Sequence, residues 1–298
     1  MTAIKPNTKI SLKKADWELD FYSRPITEKD GKKRWEVLIS STEDFSGEKP
    51  FRWAKNCPSG MVNSTWLATA LQEALNEAIE EGWAKPSKLR FWRPSMRTII
   101  KKASEKVGID PVSSRRTYSL SEWLDDRTRD FYPNEVGYIA GPLAPTFSPI
   151  SNQSVPLPEA IRGDAWSFAT LSVSTLREAS DWPIEFSGLV PIKETIKDNI
   201  QIPGIRLFSK SRSLGLAAWL GGLEPVALTL ENLQLVLEAG LDERWLVTDM
   251  EKETADYAHK CFKNSKTHAD GLQFIAVQST PEDEKFAGFW MLREFQIN

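Results

Sequence analysis

A run of basic residues is the strongest chemical signal in the chain. Residues 82–118 contain ten lysines and arginines but only two acidic residues. Arg97, Lys101 and Lys102 fall close together on a helical pattern, so one helix face would carry several cations. Such a surface attracts phosphate backbones, because binding releases their condensed counterions. The run therefore indicates a nucleic-acid interface, and a merely solvated helix face is the alternative.

Two aromatic residues lie inside this run. Strand alternation would place Phe91 and Trp92 on opposite faces, and we expect Phe91 in the core and Trp92 beside the cations. An exposed Trp92 ring could stack on an unpaired base. The opposite phase, with Trp92 buried and Phe91 exposed, stays open. The candidate RNA-binding residues are Trp92, Arg93, Arg97, Lys101, Lys102, Arg115 and Arg116.

Carboxylates support a rival interpretation, a metal-dependent nuclease. Ribonuclease-H-like nucleases hold two metal ions with acids from the first strand, the first helix and the fourth strand. Asp20 suits the first position, but Trp66 and Arg93 stand at the other two. We therefore expect no catalytic residues, no metal and no cofactor. The rival hypothesis is a nuclease that combines Asp20 with Glu36, Glu73 or Glu77.

The elements that would position these residues follow from hydrophobic periodicity. Alternation with a period of two predicts strands, and apolar spacing of three to four residues predicts helices. The predicted elements are strands at 17–23, 34–40, 50–57, 88–93 and 111–118, and helices at 64–81, 95–107 and 121–127. Three antiparallel strands followed by αβαβ is the order of a ribonuclease-H-like fold, here with a degenerate acid site.

Charge and proline content divide the chain. Residues 1–158 carry a net charge of +4 and residues 159–298 a net charge of −7. Five prolines between 141 and 158 indicate a linker. The predicted organisation is a mobile basic arm at 1–16, a basic α/β RNA-binding domain at 17–140, a proline-rich linker at 141–158 and an acidic, β-rich α+β domain at 159–298.

The second half shows shorter and less regular patterns. Eight strands are predicted, at 165–174, 205–209, 214–220, 225–231, 233–238, 244–249, 272–278 and 286–292. A helix is predicted at 250–263, a weaker one at 191–199, and a hairpin turn at Gly221-Gly222. No topology follows from these patterns.

Composition excludes several protein classes. The 298 residues are 41% hydrophobic and 27% charged, values typical of a folded globular protein. No apolar run is long enough to span a membrane, and the first residues lack the apolar segment of a secretory signal. The only cysteines, Cys57 and Cys261, are far apart in sequence and suggest a reducing compartment.

Several segments resemble one known family. They are WELDFYSRPI (17–26), KKRWEVLI (32–39), FWRPSM (91–96), SSRRTYSLSEWL (113–124) and LPEAIRGDAW (157–166). The pattern resembles the Tab/Atab family of chloroplast and cyanobacterial RNA-binding proteins, which is named for translation of photosystem I reaction-centre messages. The family's C-terminal Trp-Leu-Leu tripeptide corresponds here to Trp290, Met291 and Leu292, a candidate functional motif with one departure.

This resemblance implies binding of single-stranded, A/U-rich mRNA leaders in support of translation or assembly of photosystem subunits. It also implies protein partners from translation or photosystem assembly. Chloroplast members carry transit peptides, and few residues precede the first motif here, so we expect a cyanobacterial-like, cytoplasmic protein; thylakoid association stays open. A photosystem assembly chaperone that binds no RNA is a further alternative.

Overall fold

The computed structural model describes residues 12–43, 48–141 and 153–294. Most of the predicted arm (1–11) and of the predicted linker (142–152) lies outside these described residues. The described part of the chain forms three β-sheets and six α-helices, a mixed α/β architecture.

The N-terminal elements follow the predicted order of three strands, helix, strand, helix, strand and helix. They are β1 (Trp17–Thr27), β2 (Lys33–Ser41), β3 (Arg52–Cys57), α1 (Ser64–Glu80), β4 (Lys88–Phe91), α2 (Arg97–Val107), β5 (Asp110–Ser113) and α3 (Tyr118–Asp126). The five strands form one sheet in the order β3-β2-β1-β4-β5. The first three strands are antiparallel, and β4 and β5 run parallel to β1.

Local sequence explains where α1 and α2 begin and end. The Asn63 side chain accepts hydrogen bonds from the backbone N–H groups of Thr65 and Trp66, which caps α1. Gly82 and Gly108 follow the two helices with φ angles of +87° and +66°, a region that favours glycine. Both helices lay their apolar faces on the sheet side formed by Trp17, Leu19, Phe21, Leu89 and Phe91.

The second side of this sheet is also buried, whereas the alternation in β1 predicts only one buried face. Glu18 and Asp20 are 2% and 0% exposed. The reason is that α3 and the residues after it cover this side, where Leu38, Trp92, Leu120 and Tyr132 form a separate apolar cluster. Such coverage depends on distant chain segments and is invisible in the strand's own pattern.

The C-terminal region contains the other two sheets. Its elements are β6 (Val155–Pro156), β7 (Ala165–Ser172), α4 (Val173–Arg177), β8 (Ile184–Gly188), β9 (Gln201–Phe208), α5 (Ser213–Leu223), β10 (Pro225–Glu231), β11 (Gln234–Ala239), β12 (Glu243–Asp249), α6 (Lys252–His268), β13 (Leu272–Gln278) and β14 (Phe286–Arg293). The strand orders are β10-β11-β12-β6 and β7-β9-β13-β14-β8. Helices α5 and α6 pack against apolar residues of both sheets.

Three predictions in this region are wrong. Residues 214–220 form most of α5 and not a strand, and Gly221-Gly222 lies in its last turn and not in a hairpin. Residues 191–199 form turns and not a helix. The α5 sequence has no charged residue, so no polar face alternates with an apolar face to reveal a helical period.

Candidate nucleic-acid interface

Four cations of α2 form an exposed surface, here called the α2 basic surface: Arg97, Lys101, Lys102 and Lys106. Ile100 and Ala103 face the sheet, so the helical period turns these four outward. Lys101 is partly exposed and the other three are exposed. No carboxylate within the described ranges forms an ion pair with any of them. Lys106 was not among the predicted site residues, although its spacing of four from Lys102 would have placed it on this face.

Other cations of the basic run are engaged in contacts within the protein, some of them between the two halves of the chain. The Arg90 side chain on β4 forms ion pairs with Asp16 and Glu224, and Lys88 reaches Glu224 at 3.7 Å. Lys85 donates to the carbonyl oxygen of Val107, at the end of α2. The net charge of the run therefore overstates the number of free cations.

Arg115 and Arg116 also lie at the contact between the halves. Arg115 forms an ion pair with Glu238 at 2.8 Å. Arg116 donates hydrogen bonds to the carbonyl oxygens of Pro225 (2.9 Å) and Gly188 (2.6 Å). The structure places these two predicted site residues apart from the α2 basic surface.

Trp92 and Arg93 are buried, each only 3% exposed. The predicted phase of β4 is correct, since Phe91 lies in the core beneath the helices while Trp92 lies on the other side. That other side is covered, and the Arg93 guanidinium stacks on the Trp92 ring at 4.0 Å. The expected exposure of Trp92 is therefore wrong, and its ring is not available for stacking on a base.

Trp66, at the start of α1, is only partly buried. Its ring is partly exposed and stacks on Phe21, with ring centroids 5.6 Å apart and planes 14° from parallel. The Lys55 ammonium lies 5.9 Å from the same ring. Trp66 therefore belongs to the edge of the core, at the N-terminal end of α1.

A buried ion-pair network surrounds Asp20. Arg93 donates from Nε to Asp20 Oδ1 (2.5 Å), and Arg24 donates from Nη1 to Oδ2 (2.7 Å). Arg24 also binds Glu36, which accepts a further hydrogen bond from the Tyr132 hydroxyl at 2.6 Å. Burial would raise the pKa of Asp20, but the two guanidiniums outweigh it and hold this pKa below its usual value.

The other acids of the rival nuclease hypothesis lie elsewhere. Glu73 forms an ion pair with Lys55, and Glu77 accepts a hydrogen bond from Trp53 Nε1, both on the helix side of the sheet. Within the described residues, no group of three or more metal-ligating side chains is assembled. Both oxygens of Asp20 already accept hydrogen bonds from arginines, so a metal ion would have to displace these partners.

Trp290, Met291 and Leu292 are core residues of β14, exposed by 4%, 0% and 0%. None of the three side chains is therefore on the surface, and a functional role for the tripeptide stays a prediction. The Trp290 ring packs so closely on Gly288 that a Cβ there would lie 2.3 Å from the indole. The tripeptide therefore contributes packing in this structure.

Two family models of RNA-binding proteins match the chain. The model described as RNA-binding protein Tab2/Atab2 N terminal matches residues 16–127. The model described as RNA-binding protein Tab2/Atab2, C-terminal domain matches residues 145–293. The chain therefore belongs to the Tab2/Atab2 family of RNA-binding proteins.

Two relatives cover most of the chain. A protein named TAB2 homolog, chloroplastic, from Zea mays is 32% identical over 293 residues, which is 93% of this chain and 71% of the relative. A protein of the same name from Arabidopsis thaliana is 32% identical over 287 residues, covering 93% of this chain and 74% of the relative. No solved structure shows a significant match.

The names of these relatives contradict the expected cytoplasmic location. Both are chloroplastic proteins, so a small number of residues before the first motif is no basis for placing the chain in the cytoplasm. Among the described helices, none is long and apolar enough to cross a membrane.

Proposed function

We propose that this protein binds single-stranded, A/U-rich mRNA leaders and thereby supports the translation or assembly of photosystem subunits, without catalysis. The α2 basic surface is the observation that carries the proposal. Four cations lie on the exposed part of α2, and none of them forms an ion pair with a carboxylate of the described chain. They outnumber the one exposed acid beside them, Glu105, and so attract a phosphate backbone. Membership of an RNA-binding family supports RNA as the polyanion.

The N-terminal sheet supports the further proposal of a ribonuclease-H-like domain without its metal site. The strand order β3-β2-β1-β4-β5, with two helices on one side, is the arrangement that such a fold requires. Arg93 follows β4, where an acid of the metal site would stand, and its guanidinium binds Asp20. A cation in place of a metal ion satisfies the remaining carboxylate, and this supports a binding role for the domain and no hydrolysis.

The proposed site residues are now Arg97, Lys101, Lys102 and Lys106. Burial removes Trp92 and Arg93, and contacts with the C-terminal region occupy Arg115 and Arg116. We retain the proposed division into a basic N-terminal domain (17–140) and an acidic C-terminal domain (159–298). The acidic domain repels RNA and is the better surface for protein partners.

Direct binding measurements test the proposal. The full chain is titrated with fluorescently labelled A/U-rich single-stranded RNA at several salt concentrations, and a G/C-rich duplex serves as the comparison. We expect tighter binding of the single strand and an affinity that falls steeply as salt rises. A folded protein that binds neither RNA would contradict the proposal and favour the assembly chaperone.

A further inference from the structure

A small cavity lies at the contact between the two halves of the chain, on the sheet side opposite α2. Its volume is about 50 Å³. Glu18 and Arg90 line it from the sheet, Tyr118 and Ser119 from the start of α3, and residues 189–191 from the loop after β8. The cavity is therefore separate from the α2 basic surface, and its role does not depend on the proposed function.

Three arginines line this cavity: Arg90, Arg116 and Arg293. The guanidiniums of Arg116 and Arg293 lie 5.4 Å and 5.8 Å from the centroid of the Tyr118 ring, so one phenol ring contacts both cations. Two cations that line one cavity favour the binding of an anion there.

The hydrogen bonds of Arg116 and Arg293 are incomplete, whereas Arg90 is paired with Asp16 and Glu224. Arg116 bonds only to backbone carbonyl oxygens and has no ion pair with a carboxylate of the described chain. Arg293 is 4% exposed and pairs with Glu122 through Nη1, but its Nε is buried without a hydrogen-bond partner. A buried charged donor without an acceptor is costly, and a bound oxyanion would supply one.

Of the two acids that line the cavity, Glu18 is largely protonated at neutral pH and does not neutralise the arginines. Burial raises the pKa of Glu18 to about 8, although the Leu120 N–H and Arg90 act in the opposite direction. Burial and the neighbouring Glu122 also raise the pKa of Glu43. A protonated Glu18 is neutral, and its hydroxyl is a further donor for an anion.

The cavity's size selects the ligand. One water molecule needs a cavity of ~10–15 Å³. The cavity therefore has room for a few waters or for one tetrahedral oxyanion, whereas a nucleobase is too large for it. Arginine forks match the geometry of phosphate oxygens. We propose that the cavity binds one phosphate group, which Arg116 and Arg293 hold at the contact between the two halves of the chain.

Inorganic phosphate is the probe that tests this proposal. The full chain is titrated with sodium phosphate at constant ionic strength, with sodium chloride as the control, and both binding heat and melting temperature are measured. We expect saturable binding and a melting temperature that rises with phosphate, because a ligand that binds only the folded state stabilises it. No saturable binding beyond chloride would overturn the proposal.

Two variants locate the site. Arg293→Lys and Arg116→Lys keep the charge but lose the guanidinium fork, and each should weaken phosphate binding by about tenfold, as expected for one charged hydrogen bond. Arg129→Lys, an exposed arginine paired with Asp126 and Asp130, is the matched control and should bind as the wild type does. Wild-type affinity in the folded Arg293→Lys and Arg116→Lys proteins would overturn the assignment, and the wild-type titration decides alone if neither folds.

The phosphate could be the free ion or the terminal phosphate of an RNA, and paired oligonucleotides distinguish these sources. The same single strand is compared with a 5′-phosphate, a 3′-phosphate and two hydroxyl ends. Preference for one phosphorylated end, lost in Arg293→Lys, identifies the RNA terminus. Equal binding of all three strands, together with saturable binding of inorganic phosphate, identifies the free ion.

Discussion

Arg90 on β4 binds Glu224, which follows α5, through two hydrogen bonds: Nε to Oε2 at 2.6 Å and Nη2 to Oε1 at 3.0 Å. This bidentate ion pair joins the N-terminal sheet to the C-terminal region. Both side chains are largely buried, at 11% and 8% exposure, so solvent screens the pair weakly. The contact between the halves is therefore built from oriented charges as well as from apolar packing.

Glu224→Gln should destabilise the protein at pH 7 by about 3 kcal/mol, because Arg90 keeps its charge and loses this carboxylate. Burial would raise the pKa of Glu224, but Arg90 outweighs it and holds this pKa below 4.5. A lowered pKa contributes stability above the unfolded value and loses it as pH falls. Urea denaturation at several pH values should show the difference from wild type shrinking below about pH 4. A constant difference across this range would contradict the role of ionised Glu224.

Charge reversal on the α2 basic surface should reduce RNA affinity. We expect Arg97→Glu with Lys101→Glu to weaken binding and to lower the slope of log affinity against log salt by about two, because two phosphate contacts are lost. Lys29→Glu with Lys33→Glu, in and after the exposed β1–β2 turn, makes the same charge change and should leave the slope near the wild-type value. Equal slopes for the wild type and the α2 variant would exclude the α2 basic surface from the RNA-binding site.

Glu18→Gln should change how stability depends on pH. Burial raises the pKa of Glu18 from 4.5 to about 8, so the folded state binds a proton that the unfolded state releases within this interval. The free energy of unfolding of the wild type therefore falls as pH rises from 4.5 to 8, because folding then requires this carboxyl to take up a proton. Melting curves of the variant should gain on the wild type over this interval. A difference in melting temperature between the two proteins that does not grow with pH would contradict the raised pKa of Glu18.

Trp92→Ala and Trp66→Ala should separate stability from binding. Trp92 is 3% exposed, so we expect its truncation to lower stability by ~3–5 kcal/mol. Trp66 is partly exposed, and its truncation should cost less. RNA affinity of the folded Trp92→Ala protein should stay near the wild-type value. A large loss of affinity with little change in melting temperature would restore Trp92 to the binding site.

Asp20→Asn should strongly destabilise the protein, and neither this variant nor the wild type should cleave RNA. Removing this carboxylate leaves Arg24 and Arg93 buried without their shared acceptor, which costs about 3–5 kcal/mol. We expect no magnesium- or manganese-dependent cleavage of RNA or of an RNA–DNA hybrid by the wild type. Cleavage that disappears in a folded Asp20→Asn protein would revive the nuclease hypothesis.

The sequence predicts the order of the N-terminal elements and most of their bounds, because alternating apolar residues and capping residues such as Asn63 and Gly108 give strong local signals. The strand predicted at 111–118 is shorter in the structure and ends at Ser113. The sequence also indicates that Arg93, directly after β4, lies near Asp20 of β1, since this needs only the element order. The burial of Trp92 could not be predicted from the sequence, because it depends on α3 and later segments that cover the second side of the sheet.

The C-terminal region was harder to predict, since its apolar elements lie between two sheets. The uncharged α5 sequence fits a strand or a helix equally well, and only its position between β9 and β10 decides. The cavity at the contact between the halves combines residues far apart in sequence, Glu18, Tyr118 and Arg293 among them. No local sequence pattern predicts such a site.

The position of β14 constrains how the protein folds as it is synthesised. In the sheet β7-β9-β13-β14-β8, the last described strand is an interior strand, and β8 pairs only with it. While the ribosome is still adding residues before Phe286, β8 has emerged but has no strand to pair with. The backbone N–H of Arg293 donates to the Tyr118 hydroxyl, so this part of the contact with the N-terminal region also waits for β14. A stop codon anywhere before β14 would thus release a chain whose sheet and whose contact between the halves are both unfinished.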